Sequence, residues 1–455
     1  MLLIPPEAQA TRSAVRACRG AAESVTGIWR AESLRGRFAR GAVWSLLGAL
    51  IAQGANLIAS LLTARLLGRE RFGEYGMIQN TVGMLGVFAG LGLGVTTTRF
   101  VAEFRESDPD RAGRIIALGW GAAIVSGGII AIALLVLAPQ LAATTLNGPA
   151  LARELRIGSA LLFFSAVNGA QIGALSGFEA FRAIAGINLT RGLVTLPVTA
   201  ALTMLWGLPG AVWALAVIAA ITCCHGQLSL RRQCLSAGIH PHFRSAWAER
   251  WVLWTFSTPA FLSGAMAGPA LWAANSMLVH QPGGYSEMGL FSAASQWRSA
   301  IAFLPGVLAQ FALPLLSNLH GERDFSRYRK ALCWNLLLTT LTASAVAVPV
   351  TLCAPWVMSL YGKGFQQGSL VLVLSAITAV ISCVNSVVGT AILSAGSVWL
   401  GLLFNGMWAA VLVAASYYLI STNLSLGLAA AMLLAYLAHT IWQGLYLSQR
   451  VMPAN

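Results

Sequence analysis

Two uncharged, mostly apolar segments, 41–64 and 75–98, are separated only by the turn Arg65-Leu-Leu-Gly-Arg-Glu-Arg-Phe-Gly-Glu74. Each is 24 residues long, and about 20 residues of helix cross the hydrocarbon core of a bilayer. In lipid every backbone group must be paired within its own segment, so two such stretches joined by so short a turn read as a transmembrane helical hairpin. The rest of the chain obeys the same constraint. With 57% hydrophobic and 10% charged residues, a soluble fold would expose large apolar patches, and the bilayer is the solvent that accepts them.

Further spans are expected near 115–138, 157–180, 183–206, 210–230, 251–278, 288–318, 331–352, 369–391, 397–420 and 426–447, which makes twelve. The hairpin motif returns in the second half: Phe72-Gly-Glu-Tyr-Gly76 is echoed by Tyr285-Ser-Glu-Met-Gly289, Ala138-Pro139 by Ala354-Pro355, and Asn188 by Asn405. Six spans per repeat put the symmetry axis along the membrane normal. The expected fold is an all-α integral membrane protein, two six-helix bundles related by a pseudo-two-fold axis. Its parts are a basic tail (1–40), a first bundle (41–230), a linker (231–250), a second bundle (251–447) and a short C-terminal tail (448–455).

The net charge of +14 lies in short loops between apolar segments, not on a polar domain with interleaved aromatics, so nucleic acid is not an expected partner. Of 29 lysines and arginines, 21 fall in the tails and loops on the side of the termini, six fall on the other side, and Arg191 and Arg298 remain inside spans. The positive-inside rule then places both termini in the cytoplasm of a multi-pass inner-membrane protein. The seven cysteines form no Cys-x-x-Cys, and His240-Pro-His242 lacks a third ligand, so neither metal nor cofactor is expected.

Arg191 and Arg298 carry the functional reading. An arginine at the centre of a membrane helix costs about 2.5–3.5 kcal/mol on insertion scales, so each should face the bundle interior or water. No acidic residue lies deep in a span; Glu179 and Glu287 come closest, at opposite mouths. Fixed positive charge without a counter-acid prefers an anion, above all phosphate, which a guanidinium grips with two parallel hydrogen bonds. Gln53 and Asn56, near-helically spaced with Ser60, then Gln79, Asn80, Asn168, Gln171, Asn275 and Gln296, are candidates to line a polar cavity and bind sugar hydroxyls. Each also serves as ordinary interhelical glue.

Ala64-Arg-Leu-Leu-Gly68 followed by Phe72-Gly-Glu-Tyr75 resembles the first-loop signature of the polysaccharide flippases, within the multidrug/oligosaccharidyl-lipid/polysaccharide exporter superfamily. Gly92-Leu-Gly94 leading to Arg99-Phe-Val-Ala-Glu103, and Gly289-Leu-Phe-Ser-Ala-Ala294, resemble further segments of that group over residues 37–450. Family members often carry an acidic residue before the Gly-Leu-Gly run, where this chain has Ala89-Gly90. The resemblance implies a bacterial carrier that flips polyprenyl-pyrophosphate-linked oligosaccharide repeat units by alternating access. Its surroundings would be membrane lipids, and its partners a polysaccharide polymerase and glycosyltransferases. A twelve-span exporter of small solutes or drugs is the alternative. No loop exceeds about twenty residues, too little for the catalytic domain of a membrane glycosyltransferase, so the chain is not expected to be an enzyme.

Overall fold

The structure is a computed structural model that describes residues 34–258, 261, 265–322, 324–394 and 398–451. Most of the basic tail, residues 1–33, and the last four residues lie outside the described residues. Eight helical stretches among the described residues are long and apolar enough to cross a membrane. Two of these, Leu46–Phe104 and Leu400–Gln449, are double.

We label the principal helices α1 (Leu34–Gly90), α2 (Leu93–Phe104), α3 (Pro109–Thr144), α4 (Ala152–Gly177), α5 (Phe181–Trp206), α6 (Leu208–Ser236), α7 (Ala267–Val279), α8 (Gly284–Gly321), α9 (Phe325–Leu352), α10 (Ser369–Ser394) and α11 (Val398–Tyr446). α1 turns back at Gly68 (φ 77°, ψ 173°), a left-sided conformation that glycine adopts without a Cβ penalty. α11 turns at Leu424 (φ 49°). Counting both legs of α1 and α11, with α2 continuing the second leg of α1, the chain makes twelve crossings in two six-helix bundles.

The repeat is visible in which crossings touch. In the first half the first leg of α1 packs on α5, α3 on α4, α4 on α6 and α2 on α4; in the second, α7 packs on α11, α9 on α10, α10 on α11 and α8 on α10. Small residues permit these approaches. A Cβ on Gly48 would stand 2.8 Å from the Ala185 carbonyl, and one on Gly406 would stand 3.4 Å from the Met266 sulfur.

Two expectations are corrected. The second crossing is not one straight helix to residue 98: Leu91 (φ 44°) and Gly92 (φ 67°) interrupt it, and the Gly90-Leu-Gly-Leu-Gly94 run that makes room for packing also supplies the break. The seventh crossing does not begin as regular α-helix, because Leu253–Ser257 forms a π-helical turn.

The halves meet closely at the end carrying Gly68, Leu146, Gly283, Gly364 and Leu424. One core there draws side chains from both: Phe72, Tyr75, Ile78 and Leu155 from the first, Met288, Phe291, Tyr361 and Phe365 from the second. At the other end the cores separate. One, around Val101, Ile115, Leu175 and Ile239, belongs to the first half; the other, around Leu316, Tyr328, Val387 and Phe404, belongs to the second. The bundles share a core at one end and have separate main cores at the other, where the start of the seventh crossing still leans on the first half: the Ser257 and Thr96 hydroxyls lie 2.7 Å apart, and Leu253 packs beside Leu93 and Leu118.

Candidate functional site

At the joined end the two copies of the repeated motif pack against each other. A Cβ on Gly73 would lie 1.8 Å from the Tyr285 carbonyl oxygen, one on Gly289 2.2 Å from the Arg69 carbonyl, and one on Gly76 2.1 Å from the Ser292 hydroxyl. Side chains lock the contact. Arg69 donates through Nε to the Ser286 carbonyl (2.9 Å) and through Nη1 to the Gln367 Oε1 (2.8 Å), and pairs with Glu287, which also accepts from Ser425. Arg65 donates to the Leu360 carbonyl (2.6 Å), Tyr285 to the Leu146 carbonyl (2.5 Å), and Trp272 to Thr81 (3.1 Å). Phe72, Tyr361 and Phe365 fill the space between, with ring centres 5.7–6.1 Å apart. Glu287, expected at a mouth, is thus neutralised within the closed end.

The two intramembrane arginines lie one in each bundle. Arg298 is fourteen residues from the start of α8, roughly 21 Å from the joined end at the helical rise. It is half-buried, its Nε has no hydrogen-bond partner, and it forms no ion pair with a described residue. Its electrostatic neighbours are Cys383 and Tyr436, neither an acid ionised at neutral pH. Arg191 is exposed and forms no ion pair among the described residues. On α5, Gly192 meets Ile51 and Ala52 of α1, and Gly186 and Thr190 meet His225 of α6. The exposed Leu189 and Leu193 point outward between those contacts. At 100° per residue Arg191 falls on the opposite side, facing inward.

The amides divide into two groups. Gln53, Asn56, Gln79, Asn80 and Gln296 are half-buried and make no hydrogen bond with a described residue, which leaves their polar groups available. Asn275 is 2% exposed with its Oδ1 unpartnered, on the α7 face that carries Trp272 and Ser276 toward the first half. Asn168 and Gln171 sit elsewhere. Both reach Gly226 of α6, and the fully buried Gln171 donates to Gln227 (3.0 Å), so they hold α4 to α6.

Sequence reasoning missed a polar stripe on the second leg of α11. Asn385 of α10 donates to the Tyr436 carbonyl (3.0 Å) and accepts from Thr440 (2.9 Å). His439 has both ring nitrogens unpartnered, and the Gln443 Oε1 is unpartnered as well. The i, i+3/i+4 spacing of Tyr436, His439, Thr440 and Gln443 was the available signal. The expectation of no buried carboxylate is also corrected: Glu154, in the first turn of α4, is 7% exposed. No group of three metal-ligating side chains occurs among the described residues.

The unpaired guanidinium groups and amides are the kinds of group that bond phosphate oxygens and hydroxyls. The sequence profile of the family described as "Polysaccharide biosynthesis protein" matches residues 38–320. The chain belongs to this family. The chain is similar to "EPS I polysaccharide export inner membrane protein EpsE" of Ralstonia nicotianae, at 24% identity over 85% of this chain and 88% of that one. The protein of the same description from Ralstonia solanacearum is 21% identical over 87% and 91%. Among solved structures, an inward-facing multidrug transporter of the MATE family superposes with a TM-score of 0.73 (17% identity, 91% of this chain, 100% of that one). The lipid II flippase MurJ in an inward closed conformation superposes at 0.69 (11%, 89%, 87%). These likenesses give the two-bundle fold.

Proposed function

We propose that this family member moves polyprenyl-pyrophosphate-linked oligosaccharide repeat units from the cytoplasmic to the outer leaflet of the inner membrane, for surface polysaccharide assembly. The observation that carries the reading is Arg298, a guanidinium deep in the second bundle with no carboxylate against it. Such a charge is costly in the bilayer, and a pyrophosphate entering the space between the bundles repays the cost. Arg191 supplies the second positive charge. Gln53, Asn56, Gln79, Asn80, Asn275 and Gln296 contact the sugars, and the polyprenyl chain stays in lipid.

The excess of positive loops on the side of the termini makes the joined end the periplasmic one and residues 231–250 a cytoplasmic linker. The conformation is then inward-facing: the headgroup enters from the cytoplasm, and parting of the Gly73–Gly289 contact releases it outside. Glycosyltransferases supply the cargo and a polymerase consumes it.

The test is Arg298→Ala in proteoliposomes carrying a fluorescent polyprenyl-pyrophosphate sugar. Flipping is lost while the variant remains in the membrane at normal abundance, and Arg298→Lys recovers part of it because a point charge replaces a two-pronged one. Unchanged flipping in Arg298→Ala would refute the assignment.

A further inference from the structure

Outside the space between the bundles, the joined end holds a second place where the two halves meet. A cleft of about 690 Å³ opens between the turn of α1 and the loop that leads from α9 to α10. The first half contributes Arg65 and Gly68 to it, the second Ser359, Lys363, Gly364 and Gln366. Arg65 is fixed against the opposite half: its Nε donates to the Leu360 carbonyl (2.6 Å), and its Cγ would stand 3.9 Å from a Cβ on Gly362. That bond leaves both terminal guanidinium nitrogens without a partner among the described residues. Lys363, next in the chain after Gly362, is exposed and forms no ion pair with a described residue.

The backbone around these cations is bare. Gly68 (φ 77°), Gly362 (φ 124°) and Gly364 (φ 88°) take positive φ, and a Cβ on Gly68 or Gly364 would meet nothing within 4 Å. The amides of Lys363 and Gly364 bond to no backbone carbonyl among the described residues. No carboxylate lines the cleft. Glu287 is taken by Arg69 and Ser425, while Glu70 and Glu74 group with Arg71 and Glu154 on the side of Gly207. A guanidinium and an ammonium beside free amides, with no counter-acid, match the oxygens of a phosphate.

The surroundings select where that phosphate comes from. Leu66 beside Arg65, Trp356 one turn before Ser359, and Leu370 just beyond the loop are all exposed. An apolar rim carrying a tryptophan belongs at the boundary between hydrocarbon and headgroups, the depth at which a lipid presents its phosphate. We infer that the cleft binds the phosphate of an anionic lipid in the leaflet at the joined end. Held between Arg65 of one half and Lys363 of the other, the phosphate bridges the bundles and favours closure of that end. A ligand that binds only the closed form raises the closed-to-open ratio by about tenfold at ten times its Kd. The inference does not depend on the cargo.

The experiment uses the full chain without its seven native cysteines, spin-labelled at Ala150 and Asn423, exposed positions on opposite halves at this end. Distance distributions are recorded in nanodiscs of phosphatidylcholine alone, of phosphatidylcholine mixed with phosphatidylglycerol, and of phosphatidylcholine with millimolar inorganic phosphate in the buffer. Phosphatidylglycerol raises the closed-to-open ratio of the parent about tenfold. K363Q, which breaks no contact within the protein, loses most of that rise, K363R keeps it, and Arg156→Gln, which removes an exposed cation elsewhere at this end, keeps it as well. A parent indifferent to phosphatidylglycerol, or a K363Q protein that responds like the parent, would overturn the inference. Inorganic phosphate that closes the end as far as phosphatidylglycerol does would also overturn it, by assigning the cleft to a soluble anion.

Discussion

Replacing Gly73 with alanine adds one methyl group where the two repeats cross, and the structure sets what that methyl meets. Its carbon would stand 1.8 Å from the Tyr285 carbonyl oxygen, 2.8 Å from the Gly289 nitrogen and 2.9 Å from the Tyr285 carbonyl carbon. All three are backbone atoms that no rotamer change can move. Ordinary contact begins at 3.4 Å, so α8 and the second leg of α1 must separate by about 1.6 Å. That displacement also stretches the 2.9 Å bond from Arg69 to the Ser286 carbonyl and loosens the packing of Phe72 on Phe365. Overpacking of this kind costs roughly 1–3 kcal/mol, which lowers the closed-to-open ratio by about 5- to 150-fold. Spin labels at Ala150 and Asn423, exposed positions on opposite halves at this end, placed in the full chain without its native cysteines and measured in proteoliposomes, read the change as growth of the long-distance fraction. Gly83→Ala on the same leg, where a Cβ meets nothing within 4 Å, is the control and leaves the distribution unchanged. A Gly73→Ala protein with the parent's distance and closed fraction would refute the claim that backbone contact at this crossing holds the end shut.

Arg69→Ala leaves Glu287 partly buried with only Ser425 to bond it, and weakens closure by about 1–3 kcal/mol; the exchange Arg69→Glu with Glu287→Arg recovers most of the loss in the same distance measurement. Gly226→Leu forces a side chain into Gln171, whose Oε1 stands 2.5 Å from a Cβ there, and lowers the thermal midpoint in detergent without altering the closed fraction at the joined end. Glu249→Gln removes the shared acid of Arg111 and Arg114 and increases protease access to residues 237–250, with transport per folded molecule retained.

Span number and pairing were legible because lipid forces each apolar run to satisfy its own backbone, so length alone counts crossings. The motif Phe72-Gly-Glu-Tyr-Gly76 and its echo at Tyr285 gave the repeat, and the structure adds that these two motifs touch. Arg191 and Arg298 stood out because arginine is costly in hydrocarbon wherever it points. What it points toward depends on rotation about the helix axis, which composition does not encode. For the same reason Asn168 and Gln171 read like Gln53 and Asn56, although Gln171 is sealed against α6. Glu154 looked like a solvated acid at a helix start. Only tertiary packing, through Gly158 lying on Val82, buries that turn of α4 against its neighbour. The break at Leu91 and the π-helical turn at Leu253–Ser257 are likewise set by packing: glycine density permits a break without saying where it falls.

The interruption at Leu91 and Gly92 divides labour within a single crossing. Beyond it, α2 is keyed to the first bundle: a Cβ on Gly173 would lie 2.3 Å from the Gly94 carbonyl, Thr98 bonds the Gly173 carbonyl (2.9 Å), and Arg105 bonds that of Gly177 (3.1 Å). Before it, the second leg of α1 carries Gly73 and Gly76, pressed on the opposite bundle. An unbroken rod would transmit any tilt of its outer half to the inner half and prise α2 from α4. The elbow lets the outer segment swing with the far bundle while the inner one stays moored, so the protein can change which face is shut without unpacking either core.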